Sequence, residues 1–195
     1  MTSPGLRERK KARTRAAIRE HALRLFEERG YAATTVDQIA EAAEVSPSTF
    51  FRYFPTKEDV VLTDDVDPLL LAALREQPAD LHPVEAVKRS IRQVFGGMSA
   101  EEWAAERRRQ QILQSVDDLR ARALRQYTDT LGMLATAVAE WAGLPADDFS
   151  VRVFAGAVMG AGLAALPASG VFEDDDFAAL DRALDLLQAG LPLGS

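Results

Sequence analysis

The sequence predicts an all-α chain of about nine helices, a three-helix N-terminal head followed by a larger helical domain. Three observations predict it. Apolar residues recur at i, i+3/i+4 and i+7 through most of the 195 residues. Gly96 with Gly97, Gly143 with Pro145, and Pro167 with Gly170 supply breaks between such stretches. Neither strand-like alternation nor an internal repeat competes with the helical period. The expected division is 1–56 for the head, with a loose basic tail at 1–8, and 57–195 for the larger domain.

The first helix is expected at about residues 9–29. Ile18, Ala22, Leu25 and Phe26 form its stripe, and Gly30 is a suitable residue just beyond its end. Thr35 with Gln38 reads as a capping box opening a second helix. Val36, Ile39, Ala40 and Ala43 share one face there, leaving Asp37, Gln38, Glu41 and Glu44 wet. Ser46 before Pro47 marks a third start, since serine caps well and proline lacks only an N–H that would have no helical partner. Phe50 and Phe54 then share a face, Ser48, Thr49, Arg52 and Tyr53 point elsewhere, and Pro55 ends the helix.

Thr56 with Asp59 is a weaker capping box for a fourth helix from about residue 57. Pro68 should break or kink that helix near 65–68. After a loop at REQPADLHP, further helices are expected at about 84–96, 100–114, 117–142, 147–166 and 174–189. The uncharged run 153–172 reads as a buried helix. Pro167 limits it to about 15 residues, roughly 22 Å, against a hydrocarbon core of about 30 Å. The acidic run Glu173 to Asp176 reads as a helix start favoured by the macrodipole.

Composition narrows the function. Cysteine is absent, which excludes disulfides and thiolate metal sites, and His21 and His82 lack a second ligand at metal spacing. No cofactor is expected. No apolar signal segment follows Met1, and the expected location is cytoplasmic, with no membrane partner. The net charge is −7, unevenly spread: residues 1–24 carry eight Lys/Arg against Glu8 and Glu20, a net +6, which leaves −13 on residues 25–195. A basic end on an acidic body points towards nucleic acid. Arg7, Arg9, Lys10, Lys11, Arg13 and Arg15 could lie along phosphates and add salt-dependent affinity; the alternative is a solvated tail.

Two short helices around a tight turn match a helix-turn-helix, whose second helix enters the major groove, although an ordinary helical hairpin has the same periodicity. GYAATTVDQIAEAAEVSPSTFFRYFPTKEDVVL, residues 30–62, resembles the DNA-binding signature of the TetR/AcrR family of bacterial transcriptional regulators. Three positions depart from it: Glu44 and Ser48 stand where the family has glycine, and Phe51 where it has tyrosine. Glu44 implies either a turn without positive φ or local strain. Phe51 loses a phenolic donor but keeps a ring able to touch a thymine methyl. The resemblance implies that Lys57 contacts a phosphate and that a break near Pro68 is a hinge. The candidate DNA contacts are Lys10, Lys11, Arg13, Thr35, Ser46, Ser48, Thr49, Phe51, Arg52, Tyr53 and Lys57. SPSTFFRYFPTKEDVVL is also similar to an actinobacterial sub-group that includes the mycofactocin-system regulator.

In the larger domain, Phe95, Met98, Trp103, Leu113, Tyr127, Met133 and Trp141 could line an apolar effector pocket or be simple core. The run Arg107 to Arg109 reads as solvated surface or as an anion contact. Small residues Gly156, Gly160, Ala161 and Ala164 would let another helix approach, and Phe177, Leu180, Leu184 and Leu187 form a second stripe. The resemblance implies that these last two helices make a homodimer matched to a near-palindromic operator. There is no phosphate loop, nucleophile elbow or HExxH pair, so no enzyme is expected. The reading is a repressor released from double-stranded DNA by a small apolar or amphipathic effector. Its rival is a small-molecule carrier that retains an unused helix-turn-helix.

Overall fold

The computed structural model describes residues 5–165 and 176–192. Among them are ten helical segments: α1 (Leu6–Arg29), α2 (Val36–Ala42), α3 (Pro47–Tyr53), α4 (Asp59–Leu62), α5 (Asp67–Arg75), α6 (Pro83–Gly96), α7 (Ala100–Ser115), α8 (Asp117–Ala142), α9 (Phe149–Ala165) and α10 (Asp176–Gln188). The all-helical expectation is met. The acidic run Glu173 to Asp176 and the breaks at Pro167 and Gly170 lie outside the described residues, apart from the backbone of Asp176 at the start of α10. The tail is shorter than expected, because α1 already begins at Leu6.

The chain forms two compact units, one of residues 1–63 with 104–120, the other of 64–103 with 121–195. The head was expected to end at residue 56; the unit containing it runs seven residues further and takes in most of α7. Its buried side chains include Ile18, Ala22, Leu23 and Phe26 from α1, Ile39 and Ala40 from α2, Phe50 and Phe54, and Val60 and Val61 from α4. Ile112 and Leu113 of α7 are buried in the same unit. Gly30 closes α1 at φ 85°, ψ 148°, a region that essentially only glycine enters.

The fourth helix is shorter than expected. Thr56 and Asp59 do bond reciprocally: the Asp59 carboxylate accepts from the Thr56 N–H and hydroxyl at 2.8 Å, and Thr56 Oγ1 accepts from the Asp59 N–H at 3.3 Å. Yet α4 spans only Asp59–Leu62. The break falls at 63–66, slightly before the expected place, because Asp64 Oδ1 accepts from the Val66 N–H at 2.8 Å and the Asp67 N–H at 3.3 Å. Pro68 then sits in the first turn of α5, where a missing N–H costs nothing.

In the second unit, Leu74, Val84, Val87, Val138, Trp141, Val151, Ala155 and Leu184 join one buried cluster. Lys88 of α6, 7% exposed, pairs with Asp185 and, at 3.2 Å, with Asp181 of α10. The hydrogen bond from Lys88 to Asp185, opposed by burial, raises the Lys88 pKa. Arg92 extends this network to Asp181 at 3.5 Å and Glu85 at 2.9 Å. The expectation of a buried helix at 153–172 needs correction within α9. Val151 and Ala155 are buried, but Phe149, Val153 and Leu163 are exposed at 73%, 53% and 46%. One side of α9 packs into the cluster and the other is open.

Candidate nucleic-acid interface

Local hydrogen bonds fix the helix pair. Thr35 Oγ1 accepts from the Gln38 N–H at 3.3 Å, while Gln38 Oε1 accepts from the Thr35 N–H at 2.9 Å. Thr35 is therefore the cap of α2. At the other end, the Glu44 N–H reaches Glu41 O at 3.1 Å and the Val45 N–H reaches Ala40 O at 2.9 Å. These are the paired bonds of a Schellman motif, whose residue beyond the cap is left-handed. That residue is Glu44, at φ 53°. Of the two alternatives raised by the missing glycine, the strained one holds.

The Ser46 hydroxyl caps α3 by accepting from the Thr49 N–H at 3.1 Å. It donates to Thr49 Oγ1 at 3.0 Å and meets Ser48 Oγ at 2.9 Å, so the three hydroxyls form one short chain. Phe50 and Phe54 anchor the inner face of α3 at 0% exposure. Pro47, Ser48, Phe51 and Arg52 are exposed on the outer face, while Thr49 and Tyr53 are half-buried. The Arg52 guanidinium lies over the Tyr53 ring, 5.4 Å from its centroid.

Two arginines of α1 hold α3 in place, a role the sequence reading missed. Arg15 donates to Tyr53 O at 3.2 Å and lies 4.6 Å over the Phe54 ring; Arg19 donates to Thr63 O at 3.0 Å and lies 5.5 Å from the same ring. The available signal was their spacing: Arg15, Ile18, Arg19 and Ala22 fall at i, i+3, i+4 and i+7, on one face of α1. Arg15, read as part of the phosphate-binding arm, is thus mainly a brace. Arg7, Arg9, Lys10, Lys11 and Arg13 remain exposed along the first turns of α1.

Lys57 also has structural work. Its ammonium donates to Tyr31 O at 2.9 Å and Thr34 O at 3.1 Å and lies 4.2 Å over the Tyr31 ring, leaving one of three N–H donors for anything else. It tethers the α1–α2 loop. Thr34, 1% exposed, closes the same loop by donating to Gly30 O at 2.9 Å.

The run Arg107 to Arg109 is not solvated surface. Arg109 is 2% exposed, donating to Val61 O at 2.9 Å and to both Glu106 carboxylate oxygens at 2.8 and 2.5 Å. Arg108 pairs with Glu27 of α1 at 2.9 Å. With Arg19 on Thr63 O, two guanidinium groups hold the carbonyls at the end of α4.

The effector candidates are divided between the two units. Leu113 is buried in the first, whereas the other six belong to the second. Phe95 and Trp103 meet at 5.2 Å between ring centroids, and the Trp103 indole donates to Phe95 O at 3.2 Å. Met98 and Tyr127 are half-buried, and Met133 is 47% exposed. Trp141 is a core residue whose indole donates to Gln77 O at 3.0 Å.

Among the dimer candidates, Leu184 is 1% exposed and belongs to the core of its own chain. Ala161, Leu180 and Leu187 are partly buried against that core. Gly156 and Gly160 differ: a side chain added at either would meet no atom of the described residues within 4 Å, and Ala164 is exposed. The side chain of Phe177 lies outside the described residues.

A capped helix pair braced by a basic first helix, with a polar and aromatic outer face on the second, defines a helix-turn-helix DNA-binding protein. Residues 18–63 match the family model described as bacterial regulatory proteins, tetR family, and residues 81–192 match the one described as MftR C-terminal domain. The chain belongs to the TetR family of transcriptional regulators, with an MftR-type C-terminal domain. It is 39% identical to the HTH-type transcriptional regulator TcmR of Streptomyces glaucescens over 163 residues, covering 77% of this chain and 72% of TcmR. Similarity to MftR of Mycobacterium tuberculosis is 26% identity over 187 residues, covering 94% and 93%. The solved structure of Thermus thermophilus FadR, a TetR-family repressor in complex with lauroyl-CoA, matches with a TM-score of 0.52 and 29% identity over 93% of this chain and 96% of FadR.

Proposed function

We propose that the protein is a cytoplasmic homodimeric repressor whose two α3 helices read a near-palindromic operator and which releases DNA when a small apolar or amphipathic molecule binds the second unit. The observation that carries the DNA reading is the outer face of α3, where Ser48, Phe51 and Arg52 stand exposed on a helix anchored by two fully buried phenylalanines. Exposed Lys10, Lys11 and Arg13 add the cationic contribution that phosphate binding needs. Dimerisation through α9 and α10 is supported by Gly156 and Gly160, whose lack of a side chain serves no contact among the described residues. Similarity to FadR supports an amphipathic acyl effector.

The test is fluorescence anisotropy of the full chain on a duplex from the region upstream of its own gene, across a salt series, with and without lauroyl-CoA. Affinity should fall steeply with salt, and neutralising Lys10, Lys11 and Arg13 together should flatten the log–log slope by about one unit for each phosphate that no longer meets a cation. An unchanged slope would remove the basic arm from the interface. Binding of the acyl compound with no sequence-specific DNA binding would favour a carrier.

A further inference from the structure

Phe51 is 51% exposed, although it stands beside Phe50 and three residues before Phe54, both at 0%. Its ring meets the Phe50 ring edge-on, at 90° and 5.5 Å between centroids. Half of the ring is thus backed by the core and half is open, on a side chain with only two rotatable bonds. Exposed Pro47 lies one turn before it on the same line of α3; Ser48 and Arg52, also four apart, form a polar line beside it. The cationic first turns of α1 belong to the same compact unit.

Resting on the proposed DNA reading, we infer that Phe51 is a specificity-determining residue that selects a thymine in each operator half-site by packing on its C5-methyl group. A phenyl ring has no donor or acceptor, so it cannot take part in the hydrogen-bond code of the major groove. The only apolar group that a base edge presents there is the thymine methyl. Any other base under the ring would leave polar edge atoms desolvated without partners, which penalises the wrong sequence as well as favouring the right one. Backing by Phe50 limits the rotamer freedom given up on binding.

The test starts with duplexes enriched from a randomised pool by the full-length protein, each thymine of the resulting site then being replaced by deoxyuridine, which deletes only the methyl. Each such replacement should weaken wild-type binding about fourfold, the worth of one buried methyl-sized group, and replacement in both half-sites about fifteenfold. Phe51→Tyr, which keeps the ring, should retain that sensitivity, and Phe51→Ala should lose it while keeping the helical circular dichroism of wild type. A site that binds specifically but shows no deoxyuridine effect, or the same effect in Phe51→Ala, overturns the inference and leaves DNA reading intact. Failure to enrich any sequence overturns the DNA reading, and this inference with it.

Discussion

Glu44 offers a direct measure of strain in the DNA-reading head. It occupies the left-handed position of the motif that ends α2, at φ 53°, with an exposed side chain. An L-residue there costs about 1–2 kcal/mol because its Cβ crowds the following carbonyl. Glycine removes that crowding but gives the unfolded chain more freedom, worth about 0.4–1 kcal/mol in the opposite direction. The backbone change in Glu44→Gly should therefore stabilise by about 0.5–1 kcal/mol, a rise in Tm of roughly 1–4 °C for a protein of this size. A carboxylate at a helix C-terminus also opposes the macrodipole, at about 0.3–1 kcal/mol. Glu44→Gln removes the charge and keeps the Cβ, so the difference between the two variants isolates the backbone contribution. The assay is thermal and urea unfolding at fixed protein concentration, because dimerisation would make Tm concentration-dependent. If Gln gains as much as Gly, the backbone argument is refuted and charge is the cause.

Other expectations follow from the same geometry. Arg109→Ala should cost about 3–5 kcal/mol in urea unfolding, since it takes from Glu106 its cation and from the Val61 carbonyl a buried donor; Arg109→Met with Glu106→Leu should recover much of that stability. Gly160→Leu should preserve helicity, because none of the described residues occupies the space, yet yield a monomer by light scattering; a stable dimer would exclude this part of α9 from the interface. Glu85 is held below the usual glutamate range, first by its hydrogen bond from Arg89, against burial as the next largest effect, with the charges of Arg92, Arg89 and Lys88 lowering it further. Its stabilisation is complete above about pH 4.3 and disappears as pH falls through the lowered folded value. Glu85→Gln should therefore trail wild type by roughly 0.5 kcal/mol at pH 7, the gap closing as the pH falls below the usual glutamate range.

What could be read in advance was local. The Thr35–Gln38 and Thr56–Asp59 pairs and the Ser46 cap each act within four residues, so a short window of sequence contains both partners. Arg109 illustrates the opposite case. Three consecutive arginines look like a solvated face because the group that Arg109 satisfies, Val61 O, is 48 residues away. The tether that Lys57 makes was not legible for the same reason, its partners Tyr31 and Thr34 being 26 and 23 residues distant. On α9 and α10 periodicity identified apolar faces without saying which atoms covered them. Leu184 proved to be core, whereas Val153 and the two glycines face open space.

The first compact unit is built from two separated stretches of chain, and this gives it a history on the ribosome. The helix pair is synthesised before residue 63, but Arg109, Ile112 and Leu113 emerge later. At about 5–20 residues per second, the 48 residues between Val61 and Arg109 delay completion by roughly 2–10 s. Until then the nascent head lacks the Arg109 guanidinium on the end of α4 and its last apolar cover. The part of the protein that reads DNA therefore matures only once much of the following domain has been made, so a prematurely terminated chain ending near residue 63 would be a poor competitor for the operator.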